Sequence, residues 1–217
     1  VIEDTQAYAI IYSQKYSSLI SPLFKKTIGI NEASIKKVSN TDLPDINSSR
    51  KAMILYTSGT TGKPKGVVTT HKNIQAQIKM LVNAWGWTQE DKILNVLPLH
   101  HVHGIINVVS CALWSGASCD FQHKFNEAEI FKLFKSGRIN LFMAVPTIYY
   151  KLINYWNKQS LDEQKSISDA LNKFRLMVSG SAALPISTLE KWRKISGNTL
   201  LERYGMTEAN MVISNPY

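Results

Sequence analysis

Ten consecutive residues, TSGTTGKPKG from Thr57 to Gly66, carry three glycines, three threonines, a serine and two lysines. Glycines let backbone N–H groups turn toward an anion, hydroxyls add donors and lysines supply charge, so the string suits a phosphate. It is not a Walker A loop, because Gly59 and Gly62 stand too close together and Lys63 is followed by Pro64 instead of Ser or Thr. A second chemistry-bearing string is ERYGMTE, Glu202 to Glu208: a tyrosine face, a threonine hydroxyl and a carboxylate lie within five positions. A third, GSAAL from Gly180 to Leu184, consists of small residues that permit close approach of a flat ligand. LPLHHVHG, Leu97 to Gly104, puts three histidines in four positions. Zinc is a poor fit there, since no Asp, Glu or Cys accompanies them and the spacing is that of a turn.

The elements that hold these strings read as alternating strands and helices. A short apolar run at Ala7 to Tyr12 reads as a strand followed by a helix, and Asn31 to Lys51 as a connecting loop. Ala52 to Thr57 predicts a buried strand that enters the glycine loop. A helix is expected directly after the loop, with Ile74, Ile78, Leu81, Val82 and Trp85 on one face, Thr69 or Thr70 as cap and Gly86 as terminator. Strands follow at Ile93 to Leu97, Ala117 to Phe121, Leu141 to Val145 and Phe174 to Val178. Helices are expected at Ile105 to Trp114, Glu129 to Lys135, Ile148 to Trp156 and Pro185 to Ile195. This alternation predicts an α/β fold with largely parallel sheets flanked by helices.

Read together, TSGTTGKPKG, GSAAL and YGMTE resemble the motifs of the adenylate-forming (AMP-binding) superfamily, which includes acyl-CoA synthetases, luciferases and peptide-synthetase adenylation domains. LPLHHVHG, FMAVPTIY, LMVSGSAALP and LERYGMTE are most similar to the malonyl-CoA synthetase branch. The resemblance implies that Thr57, Ser58, Gly59, Thr60, Thr61, Gly62 and Lys63 cradle ATP phosphates, with Lys65, Thr207 and Glu208 catalytic and Glu208 holding Mg²⁺. It further implies that Gly180, Ser181, Ala182, Tyr204, Gly205 and Met206 line the nucleotide site. His101 then lies beside the reacting carboxylate, and His100 and His103 are left to packing.

Many relatives carry glycine where Arg203 stands. An arginine there fills acyl space and brings a permanent charge, which implies an acid with a second carboxylate, malonate or methylmalonate. The alternative is an Arg203 that faces outward and pairs with Glu202 or Glu208. The implied activity is ATP-dependent formation of an acyl-adenylate and then an acyl-CoA thioester, with coenzyme A as co-substrate; another short or medium acid remains an alternative.

Relatives continue past YGMTE with a ribose-binding aspartate, a hinge and a C-terminal domain carrying a catalytic lysine. Residues 1–217 therefore read as the central part of a large N-terminal domain. Within it, 1–50 form a subregion with a connecting loop and 51–217 the nucleotide and acyl-pocket core; the chain alone is expected to be inactive. The formal charge of +9 makes a basic nucleic-acid-binding domain the alternative of a different class. Its lysines are dispersed, however, and no docking motif appears, so nucleic acid is not expected. Two cysteines and the lack of an apolar stretch of roughly 20 residues point to an intracellular protein of a reducing compartment without a membrane span.

Overall fold

A computed structural model describes residues 2–30, 42–58, 62–122 and 124–217. The chain divides into two compact units, Val1–Asn47 with Tyr56–Gly66, and Ser48–Leu55 with Val67–Tyr217. In the first lie the helix α1 (Ile2–Thr5), a parallel pair formed by β1 (Ile10–Ser13) and β2 (Thr27–Ile30), and between them the one-turn helix α2 (Ser17–Ile20).

The glycine loop lies between β3 (Lys51–Thr57) and β4 (Lys65–Thr70), which pair as a two-stranded sheet. The helix expected directly after the loop is thus preceded by a strand. Val67, Val68, Thr69 and Thr70 are β-branched and fit a pleated ribbon better than a helix. Thr70 then starts α3 (His71–Ala84) with a capping box: its hydroxyl accepts from the Asn73 amide at 3.1 Å, and its own amide donates to Asn73 Oδ1 at 3.0 Å. Gly86, at φ +56°, follows the end of the helix.

The centre of the second unit is a six-stranded sheet. β5 (Lys92–Asn95) lies between β6 (Ser118–Phe121) and β7 (Leu141–Ala144); β8 (Leu176–Ser179), β9 (Leu201–Met206) and β10 (Asn210–Ser214) continue outward from β7. All neighbours are parallel except β9 and β10, which form an antiparallel hairpin at the edge. Alternate residues of the central strands feed two apolar clusters. Leu94, Phe142 and Met177 pack against α5 (Glu127–Lys135), α6 (Pro146–Asn157), α7 (Leu161–Leu171) and α8 (Ile186–Ser196). Ile93, Leu141, Met143 and Val178 pack against α3, a π-helical segment (His103–Ser110) and α4 (Cys111–Ser115). Burial on both faces explains why these strands read as continuous apolar runs.

Further elements differ from expectation. The helix anticipated at Ile105 to Trp114 begins at His103, is π-helical through Ser110 and α-helical only from Cys111. Pro146, expected only to stop a strand, is the first residue of α6, where its missing N–H costs nothing. α7 and β10 were not anticipated: α7 is mostly polar and is recognisable chiefly by its Ser160 cap. Cys111 and Cys119 are free thiols, and burial pushes them up to about 12 and about 11. Among the described residues no helix is long and apolar enough to cross a membrane.

Candidate active site

Parallel strands leave a crevice where successive connections depart to opposite faces of the sheet. Here the connection after β5 passes through the π-helical segment to β6, whereas that after β7 runs through α6 on the other face. A cleft of about 500 Å³ opens at that point, lined by the segments that leave the carboxyl ends of β5, β7 and β8: Leu97, His101 and His103, Val145, and Ser181. Arg203, Gly205, Met206 and Thr207 of β9 and its following turn complete it. A neighbouring cleft of about 490 Å³ shares Ser181, Arg203 and Gly205 and adds Ala182, Glu202 and Tyr204. Both volumes suit small-molecule ligands.

Arg203 forms the wall common to the two clefts. Along β9, exposure alternates, so Leu201 and Arg203 point inward and Glu202 and Tyr204 outward. Arg203 is 6% exposed and has no ion-pair partner among the described residues. The alternative of an outward Arg203 paired with Glu202 or Glu208 is therefore not realised; Glu202 instead accepts from the Leu184 amide at 3.2 Å. Arg203 Nη2 donates to Ser181 Oγ at 3.3 Å, and its Nε is buried without a partner among the described residues. Burial pushes the guanidinium down to about 10, which leaves it cationic at neutral pH.

Ser181 also meets His103 Nδ1 at 3.1 Å. His103 is 2% exposed, and its Nε2 has no partner among the described residues. Burial first and the charge of Arg203 second hold this imidazole well below its usual range, hence neutral. His103 was expected only to pack, yet with Ser181 and Arg203 it forms the polar wall of the cleft. Gly104 holds the turn tight, since a Cβ there would meet the Pro98 carbonyl at 2.5 Å. His101 lines the same cleft but is exposed, its ring tilted by 49° against that of His100 with centroids 4.4 Å apart; burial, then His100, lowers its pKa.

Gly180 and Gly205 have explanations within the protein. A Cβ on Gly180 would stand 2.3 Å from Arg203 Nε, and one on Gly205 would stand 2.3 Å from the Asn210 carbonyl across the hairpin. Their smallness, expected to admit the nucleotide, is first required by the packing of Arg203 and the closure of β9 on β10. Tyr204 is exposed at the rim of the second cleft, so its face is free to stack on a flat ring.

Thr207 and Glu208 occupy the centre of the turn between β9 and β10, which is closed by the Ala209 amide donating to the Met206 carbonyl at 3.3 Å. They diverge. Thr207 borders the cleft of Arg203, whereas Glu208 borders a separate hollow with Gln77 of α3 and Asn210. In the other unit, Thr57 ends β3 half-buried, and Ser58, Lys63 and Lys65 are exposed. Gly62 has φ +80°, a conformation that favours glycine. Gly59, Thr60 and Thr61 lie outside the described residues.

The family model "AMP-binding enzyme" matches residues 4–217. Mitochondrial malonate–CoA ligase ACSF3 of Homo sapiens is 47% identical over 233 aligned residues, covering 100% of this chain and 40% of that protein. The chain therefore spans about two fifths of the length of the curated relatives that it matches throughout. ATP-bound MatB from Rhodopseudomonas palustris superposes with a TM-score of 0.85 at 30% identity, covering 100% of this chain and 43% of that one. A malonyl-CoA ligase in a product complex with methylmalonyl-CoA and AMP superposes at 0.84 with 26% identity, over 98% of this chain and 44% of that one. From the family match over nearly its whole length, and from relatives sharing close to half of its residues, the chain belongs to the AMP-binding enzyme family.

Proposed function

We propose that this chain carries the nucleotide and acid sites of an AMP-forming acid–thiol ligase that activates malonate, or a short substituted malonate, as its CoA thioester. The observation that carries the substrate is Arg203. A guanidinium removed from water with no acid beside it is costly, and an anionic ligand in the cleft offsets that cost. The neutral His103 and the Ser181 hydroxyl provide hydrogen bonds without competing charge. The names of the human relative and of the methylmalonyl-CoA complex support the same acid class.

In this reading the acid's distal carboxylate meets Arg203 while its reacting carboxylate lies toward His101 and Thr207. ATP is assigned to the cleft bordered by Ala182 and Tyr204, and the residue types of the loop Thr57–Lys65 suit phosphate. A carboxylate oxygen attacks the α-phosphorus as the bond to the bridging oxygen breaks and pyrophosphate leaves. The CoA thiol then forms a C–S bond with the acyl carbon, AMP departs with the former carboxylate oxygen, and the thiol proton is released. Mg²⁺ supplies charge neutralisation at the phosphates; the exposed Glu208 carboxylate, an oxygen donor on a tight turn, suits such a hard cation. Thr207 and Lys65 hold phosphate oxygens, and neither step needs a covalent protein nucleophile.

The test is a panel of acids on the full-length protein, wild type and Arg203→Gly. The wild type is expected to prefer malonate to acetate, propionate and fatty acids. The variant should lose that preference by about tenfold or more, as expected for a lost charged hydrogen bond of about 1.5–3 kcal/mol. Equal selectivity in the two proteins removes Arg203 from acid recognition.

A further inference from the structure

α3 follows β4 and packs toward the edge strand β10, and one polar residue interrupts its buried face. Ile78 and Leu81 are buried there, and beside them Gln77 is 6% exposed. Its Oε1 accepts from the Met211 amide at 3.1 Å, a contact spanning 134 positions. β10 is the edge strand of the sheet, and Gln77 takes one of its backbone amides at the point where the strand leaves the Thr207–Glu208 turn. Asn210, which ends that turn at φ +56°, and Gln77 border the same hollow as Glu208. Among the described residues, Gln77 Nε2 and Asn210 Oδ1 are both buried there without a partner. Trp85, one residue past the end of α3, donates to Ser214 Oγ at 3.0 Å and fixes the far end of the same strand. A glutamine on a buried helix face, half of its amide spent on an edge amide and half facing the hollow, is not explained by packing, which an apolar residue would serve better.

We propose that Gln77 is a positioning residue for adenylation: through the Met211 amide it fixes the turn that carries Thr207 and Glu208, and so sets the Mg²⁺ requirement of the step without touching the acid. This rests on the proposed role of Glu208 as the metal-holding carboxylate. On this view the turn is held twice, by the β9–β10 pairing across its base and by α3 at the Met211 amide. Loss of the α3 contact should therefore impair phosphate chemistry while the Arg203 cleft remains as it was.

The experiment uses the full-length protein and malonate-dependent pyrophosphate exchange, with Gln77→Met, close in shape but lacking the acceptor, and Gln77→Glu, which retains Oε1. Gln77→Met should lower the exchange kcat by about tenfold and raise the Mg²⁺ concentration for half-maximal rate several-fold. The KM for malonate should stay within about twofold, and Gln77→Glu should recover most of the loss. An exchange rate within twofold of wild type, or a loss that falls equally on the malonate KM, overturns the proposal. Residue-resolved hydrogen exchange supplies a readout free of the chemistry. The Met211 amide should be protected at least tenfold over an unstructured chain in the wild type, and should lose protection in Gln77→Met. Exchange in the wild type at the unstructured rate overturns the proposal even if Gln77→Met does not fold. Glu208→Gln is the control for the underlying reading: if it exchanges pyrophosphate at the wild-type rate, the metal role of Glu208 falls, and the amide measurement alone decides whether Gln77 holds the turn.

Discussion

Ser181 has a left-handed backbone, φ +68°, where glycine would sit without steric cost. Holding a non-glycine residue there costs about 1–2 kcal/mol. Its hydroxyl bridges His103 Nδ1 at 3.1 Å and Arg203 Nη2 at 3.3 Å. Ser181→Gly separates the two effects. It removes the backbone strain, and it also removes one neutral hydrogen bond of about 1 kcal/mol and one to a charged group of about 1.5–3 kcal/mol, which water partly replaces at this exposed position. The net change in stability should be small, at most about 1–2 kcal/mol. Selectivity should change more, because Arg203 loses the hydroxyl that orients its guanidinium plane. A loss of about 1.4 kcal/mol toward the distal carboxylate lowers the malonate-to-acetate ratio of kcat/KM about tenfold. The assay is initial-rate thioester formation by the full-length protein with each acid, beside Ser181→Ala as comparator. Ser181→Ala keeps the strain and loses the same hydroxyl, so it should be less stable than Ser181→Gly by about 1 kcal/mol with the same loss of selectivity. A Gly variant that retains the malonate preference, or an Ala variant more stable than Gly, refutes the reasoning.

His103 predicts a pH dependence. Its folded pKa lies well below the ordinary 6.5, so the unfolded chain binds a proton that the folded one excludes. Its contribution to stability is complete above about 6.5 and is lost as pH falls below that value, with a slope of up to about 1.4 kcal/mol per pH unit. Urea unfolding from pH 8 to pH 5 should show this slope in the wild type and a shallower one in His103→Gln; identical slopes refute the assignment. The buried Asp91 carboxylate accepts from Arg175 Nε at 2.9 Å and Nη2 at 2.8 Å, and from the Thr88 amide at 2.8 Å. Asp91→Ala leaves the Arg175 guanidinium with the Trp85 carbonyl but no anion and should cost about 3 kcal/mol in denaturant unfolding, whereas a loss below about 1 kcal/mol would refute an ion pair of that strength.

The central sheet was readable from sequence because β5, β7 and β8 are buried on both faces and appear as uninterrupted apolar runs between turn residues. β4 was missed because its six residues, KGVVTT, are too few to separate from the helix cap that follows, and Thr70 serves both elements. α7 was missed because only Ile167 and Leu171 of its eleven residues are buried, too few for a clear period. The π-helical start at His103 has no sequence signature of its own. Its apolar content predicts a helix, and the hydrogen-bonding register depends on how the helix meets the sheet.

The candidate site was readable where a motif names a side chain and less so where it names a glycine. Arg203 stood out because a cation replaced a small residue, and strand alternation turned it inward. Two polar residues that the structure brings forward, His103 and Gln77, share a signal that sequence alone contained. Each sits at helical spacing among residues of a buried face, His103 three positions before Ile106 and Gln77 one before Ile78 and four before Leu81. A polar side chain in such a position must find partners inside, or the element would be more stable without it. The glycines carry the opposite lesson. In a ligand-binding string a glycine reports only that something comes close, and at Gly180 and Gly205 what comes close is Arg203 and the other strand of the hairpin. Any ligand is one step removed: these glycines seat the arginine and close the turn, and it is the arginine and the turn that then border the clefts.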